Sequence, residues 1–128
     1  MTYWATTGCT YEVALADGAA LSSGDGATIT ATYTGPDAAT IDGAAAMCGS
    51  VALVLSEGVC AAVDGKAGAG TASLPGTAKY VSVDGGAALL LGDSVDVSMA
   101  GVNSAGVATS WTFTVEITDA GQSSTRAE

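Results

Sequence analysis

Five aspartates in this chain stand directly before a glycine: Asp17-Gly18, Asp25-Gly26, Asp42-Gly43, Asp64-Gly65 and Asp84-Gly85. Clustered carboxylates are what a hard cation such as calcium requires, and paired carboxylates are what general acid–base chemistry requires. No D-x-D-x-D spacing builds a calcium cage, and nothing singles out two of the 13 acidic residues as a catalytic pair. Asp-Gly also has a plainer use. The carboxylate accepts a backbone hydrogen bond and the glycine takes a positive φ, which together close a tight turn. The five pairs are therefore expected to turn the chain, with no metal or cofactor assigned to them.

Other reactive side chains are scarce. The chain has no histidine, which removes the commonest base for activating a nucleophile. Gly68-Ala69-Gly70 lacks the Lys-Ser/Thr of a phosphate loop. Cys9, Cys48 and Cys60 are an odd number without a Cys-x-x-Cys, so they read as free, buried thiols. A hairpin turning at Ser56-Glu57-Gly58 would set Cys60 opposite about Val54 and keep it away from Cys48. No catalytic residue emerges, and the chain reads as a non-enzyme. Tyr3 and Trp4 form the one constellation suited to binding: two aromatics on a terminal stretch without a strand pattern of its own. Such side chains anchor into a neighbouring subunit or pack on their own domain, and both readings stay open.

Charge narrows the partners. A net charge of −10, with Lys66, Lys79 and Arg126 as the only basic side chains, repels phosphate backbones, so no nucleic-acid partner is expected. The longest apolar runs, 51 to 55 and 87 to 91, are too short to span a bilayer, so no membrane partner is expected either. The first eight residues lack the basic and apolar regions of a signal peptide. The protein then acts where it is made, or is a mature fragment whose leader has been removed.

The positioning elements are strands. Ser110-Trp111-Thr112-Phe113-Thr114-Val115-Glu116-Ile117 alternates without error, which puts Trp111, Phe113, Val115 and Ile117 on one face. Ser94 to Met99 alternates likewise, with turn residues between the two, so a hairpin is expected. A third alternation places Ala27, Ile29, Ala31 and Tyr33 inward and Thr28, Thr30, Thr32 and Thr34 outward. Tyr11 to Leu15, Ala38 to Ile41, Val51 to Leu55, Val59 to Val63, Tyr80 to Val83 and Ala88 to Leu91 are further strand candidates, whereas 44 to 48 has helical propensity and 64 to 76 reads as a Gly/Ala-rich loop. No internal repeat long enough for a solenoid is read. Short strands at intervals of about a dozen residues predict an all-β fold, an antiparallel sandwich of 11–118 between an N-terminal arm, 1–10, and a flexible C-terminal tail, 119–128.

Two stretches resemble bacterial and phage immunoglobulin-like modules. Residues 17 to 33, DGAALSSGDGATITATY, resemble their opening phrase, and Val102-Asn103-Ser104-Ala105-Gly106 followed by Ser110 to Val115 resembles their closing hairpin. Together they bracket 17 to 115; the region 44 to 76 departs from the pattern, and the Cys-Trp-Cys signature of antibody domains is absent. The resemblance implies an immunoglobulin-like antiparallel β-sandwich. With the Ala/Gly/Thr/Val-rich composition, it also implies a virion structural protein of a tailed phage, made in the host cytoplasm. The expected role is a capsid decoration (cement) protein on the outer surface of the shell. Its partners would be the major capsid protein or other virion subunits, and it would itself be a homo-oligomer. The alternatives are a tail-tube or tail-decorating module, or an extracellular adhesion module that binds sugars through Trp4, Trp111 or Tyr80.

Overall fold

Threonine, valine and alanine at alternate positions favour extended chain with one face buried, and the computed structural model, which describes residues 2–37 and 39–127, is built of such strands. In chain order they are β1 (Thr2–Tyr3), β2 (Thr10–Leu15), β3 (Gly26–Thr32), β4 (Thr40–Ile41), β5 (Ala44–Ala45), β6 (Ser50–Cys60), β7 (Gly65–Pro75), β8 (Ser82–Val83), β9 (Gly86–Ala87), β10 (Ser94–Val102), β11 (Ala108–Asp119) and β12 (Arg126–Ala127). The six long strands form one antiparallel sheet in the order β2-β11-β10-β7-β6-β3. It curls about β7 until β2 and β3 come alongside each other without ladder pairing. Two facing layers result, and Val51, Leu53 and Leu55 of one meet Val97, Met99, Phe113, Val115 and Ile117 of the other.

The all-β antiparallel architecture expected from the alternation is present. The β10–β11 hairpin has the expected register, with Val97 opposite Phe113 and Phe113 wholly buried. An immunoglobulin domain divides its strands between two sheets joined by Greek-key connections. Here β3, β6, β7, β10 and β11 are neighbours in the order the chain makes them and β2, the first long strand, pairs with β11, the last, so the two layers are sides of one curled sheet.

Five local expectations are corrected. Residues 64 to 76 are no loop: β7 occupies most of them and pairs with both β6 and β10. Ser56-Glu57-Gly58 is not a turn but an irregularity inside β6, with Glu57 at φ 55°, and β6 runs on to Cys60, after which Ala61–Val63 forms a 3-10 turn in place of a strand. Ala31, a small side chain on the edge strand β3, is exposed rather than inward, although Ile29 and Tyr33 on either side of it pack against the core. In the region of helical propensity, Ala44–Ala45 is strand β5. Of the candidate strand 38 to 41, Ala38 lies outside the described residues, and Thr40–Ile41 is β4.

One end of the curled sheet is closed by a triangle. Ala5, Met47 and Leu89 lie 42 residues apart in turn. Ala5 N–H donates to Leu89 C=O (2.8 Å), Met47 N–H to Ala5 C=O (3.0 Å) and Leu89 N–H to Met47 C=O (3.0 Å), a closed cycle of three. A second cycle surrounds it, in which Thr7, Gly49 and Leu91 donate to Ala45, Ala87 and Tyr3. Each corner is served by a two-residue ladder: β4–β5, β8–β9 and β1–β12. The chain is thus a trefoil of three units, each contributing a triangle segment, two long strands and one strand to each of two corner ladders. Aligning Thr40-Ile41-Asp42-Gly43-Ala44-Ala45 with Ser82-Val83-Asp84-Gly85-Gly86-Ala87 shows the repeat in sequence.

The units are not chemically identical. Thr6, Cys48 and Leu90 occupy equivalent positions, and their N–H groups find three different acceptors. Thr6 donates to the Ala120 carbonyl (3.0 Å), Cys48 to the Tyr33 hydroxyl (2.9 Å) and Leu90 to the Asp93 carboxylate (2.8 Å).

Candidate functional site

Tyr3 and Trp4 belong to the triangle end. Tyr3 is half-buried in the β1–β12 ladder opposite Arg126, whose guanidinium lies 4.9 Å over the phenol ring and donates to its hydroxyl (3.2 Å). Trp4 is half-buried, bridges to Leu90, and donates its indole N–H to the Met47 carbonyl (2.9 Å). Ala5 and Thr6 beyond it are 0% exposed. The structure therefore places residues 2–10 within the chain's own fold, and not on an arm projecting from it. Residues 119–127 are likewise built in rather than a loose tail: Gln122 donates to the Trp4 and Thr125 carbonyls, and Ala127 is buried against Trp4 and Ala88. Of the three aromatics considered for sugar stacking, Trp4 is engaged and Trp111 is 8% exposed, which leaves Tyr80 at 82%.

The opposite end is built from turns laced by carboxylates. Asp25 Oδ1 accepts from Ala61 N–H (2.9 Å), which ties the β2–β3 loop to the turn after β6. Asp64, at φ 52°, accepts from both the backbone N–H (3.1 Å) and the hydroxyl (2.7 Å) of Ser104, tying that turn to the β10–β11 turn. The Ser104 hydroxyl, then its N–H, hold the Asp64 carboxyl below the usual carboxylate range. Asn103 closes the third turn by accepting from Ala105 and Val107. Of the other Asp-Gly pairs, 42-43 and 84-85 make the two corner turns with both residues at positive φ, and Asp17 accepts from Ala19 N–H. The pairs at 17, 42 and 84 turn the chain as expected, whereas Asp25-Gly26 follows a turn at Ser23-Gly24 and at Asp64-Gly65 it is the aspartate that takes the positive φ.

Behind these turns Trp111 fills the sheet's end. A Cβ on Gly65 or Gly68 would stand 2.4 or 2.5 Å from its ring, so β7 stays close to the indole only because these residues have no side chain. Its other neighbour is Phe113, edge to face at 5.9 Å, and its buried N–H has no hydrogen-bond acceptor. Outside Trp111 lies an open hollow of about 450 Å³ whose walls include Leu15, Ala19, Ala62 and Val63. Val63 and Val107, on the two turns joined through Asp64 and Ser104, are 41% and 59% exposed.

Burial pushes the Cys9 and Cys48 thiols up, away from the thiolate a nucleophile needs. The three cysteines are unpaired, and β6 itself separates Cys48 from Cys60 by about 30 Å of extended chain, not the hairpin expected for them. Asp93 is 7% exposed, and its carboxylate accepts from the Thr77 hydroxyl and Leu90 N–H. Among the described residues no three His, Cys, Asp or Glu side chains gather as metal ligands, and no helix is long and apolar enough to cross a membrane.

The laced turn platform was missed in sequence because Asp-Gly shows that a turn exists, not what its carboxylate reaches. The triangle had a signal: the 42-residue recurrence of an Asp-Gly hairpin followed by small apolar residues. No family model, no curated protein and no solved structure matches this chain.

Proposed function

We propose that the protein is a structural, non-catalytic module that docks on a larger assembly. The specific reading is a capsid decoration protein that binds and stabilises the outer surface of a phage shell. The observation that carries docking is the turn platform. Carboxylates of Asp25 and Asp64 hold three turns together, and that end presents Val63, Val107 and the hollow beside Trp111, while outer strand faces carry Thr, Ser, Glu and Asp. Preorganised turns bind without an ordering cost, and exposed apolar side chains rimmed by polar ones mark contact surfaces. The phage assignment rests on the sequence resemblance and the composition. Many copies on a symmetric shell would turn weak single contacts into reinforcement.

Purified particles from the source, probed with antibody to this protein, should carry it in many copies. Stripped particles should rebind the native chain but not Val63→Asp or Val107→Asp. Absence of the protein from particles overturns the virion reading; full rebinding by both variants overturns the platform as the docking face.

A further inference from the structure

Two of the three corners of the triangle are covalently tied. β4 runs into β5 through Asp42-Gly43, and β8 into β9 through Asp84-Gly85. The third corner pairs Thr2 with Ala127 and Tyr3 with Arg126, strands from opposite ends of the sequence with no tight turn between them. Residues 2–6 nevertheless occupy one full side of the triangle. Ala5 donates to Leu89 and accepts from Met47, Thr6 donates to Ala120, Trp4 donates to Thr125 through its amide and to Met47 through its indole. Every one of these partners is distant in sequence. The local attachment is the turn at Thr7-Gly8, held by Cys9 N–H and Gly8 N–H bonding to Thr6.

From this juxtaposition we propose that residues 2–6 form an exchangeable strand, and that two copies of this chain link by trading it. A slot flanked by the Met47 N–H and the Leu89 carbonyl cannot stay empty, because both groups would be buried without partners. The segment that fits it is the chain's own, so a second copy's residues 2–6 make the same bonds, and only the turn at Thr7-Gly8 changes. Exchange of an identical element is a low-cost route to a dimer. The tied corners cannot trade in this way without carrying the long strands with them. This inference does not depend on the virion reading, and its test uses no particles.

The full chain is concentrated, warmed to just below its melting transition, cooled and diluted. Size exclusion with light scattering should show a dimer that persists in the cold and reverts on warming. Mixing isotope-labelled and unlabelled chains should give mixed dimers by native mass spectrometry. In the double variant Tyr3→Cys with Arg126→Cys, oxidised as the monomer, the corner is tied and the dimer should be lost; reduction should restore it. A fluorescent peptide of residues 2–9 should enter the full chain on the same warming cycle, and its Ala5→Glu form should not. Failure of both the dimer and the peptide to appear overturns the proposal, as does a dimer that forms equally well from the oxidised variant.

Discussion

The two ends of the curled sheet are closed by opposite means. At the triangle end the closure is main chain: two cycles of backbone hydrogen bonds join three units, and the side chains at its centre are as different as Ala5, Met47 and Leu89. At the turn end the closure is one side chain, Trp111, set against glycines, with carboxylates pinning the turns outside it. The difference teaches where tolerance lies. A backbone cycle survives changes of side chain that fit the space, whereas an indole packed on bare backbone survives neither its own loss nor a gain opposite it.

The sharpest test is Trp111→Ala. Gly58, Gly65 and Gly68 have no side chains to fill the void, so the loss should be about 3–5 kcal/mol by urea unfolding. Gly68→Ala approaches the same contact from the other side. Its new Cβ meets the ring, and the cost should be about 1–3 kcal/mol with the net charge unchanged. Met47→Leu, at the centre of the triangle, should cost under about 1.5 kcal/mol by the same measurement. If Met47→Leu proves as damaging as Gly68→Ala, the contrast between the ends is broken.

Smaller effects refine it. Trp4→Phe keeps the aromatic body but removes the bond to Met47 C=O, which still receives the Leu89 N–H, so a loss of about 1 kcal/mol is expected from thermal melts. Asp64→Asn should act through pH. The folded carboxyl titrates below its unfolded value because Ser104 bonds to the charged form. Its contribution is therefore present above the unfolded pKa and disappears as pH falls through the folded one. The gap between native and variant urea midpoints, measurable at neutral pH, should close in strong acid. A gap of unchanged size at all pH values would assign the turn lacing to geometry alone.

How much of this was legible follows from what each element is made of. β11 was readable because its inward residues are large and its outward ones polar, and period-two patterning is a local signal. β7 was not readable, because glycine fits a strand there only in view of Trp111, more than forty residues on. Tyr3 and Trp4 were singled out as candidates for binding a partner or for packing on their own domain; the residues they meet here, Met47, Leu90, Leu91, Thr125 and Arg126, are all more than forty positions further along, and no window on the terminal sequence contains them. Ala31 was misplaced because alternation gives the face of a strand and not how well a small side chain at the sheet's edge is covered.

The three unlike acceptors at Thr6, Cys48 and Leu90 have a consequence for how the chain finds its fold. The triangle's segments present nearly the same backbone edge, so during collapse each could settle into a neighbouring unit's side, one-third of a revolution out of place. Main-chain bonds alone would scarcely penalise that error. A misplaced Thr6 or Cys48, however, would leave behind the Ala120 carbonyl or the Tyr33 hydroxyl, each held at its own place by another part of the chain, whereas Leu90 carries its acceptor, Asp93, three residues along. The two distant acceptors thus act as addresses, and the native assembly is the one in which both are answered together.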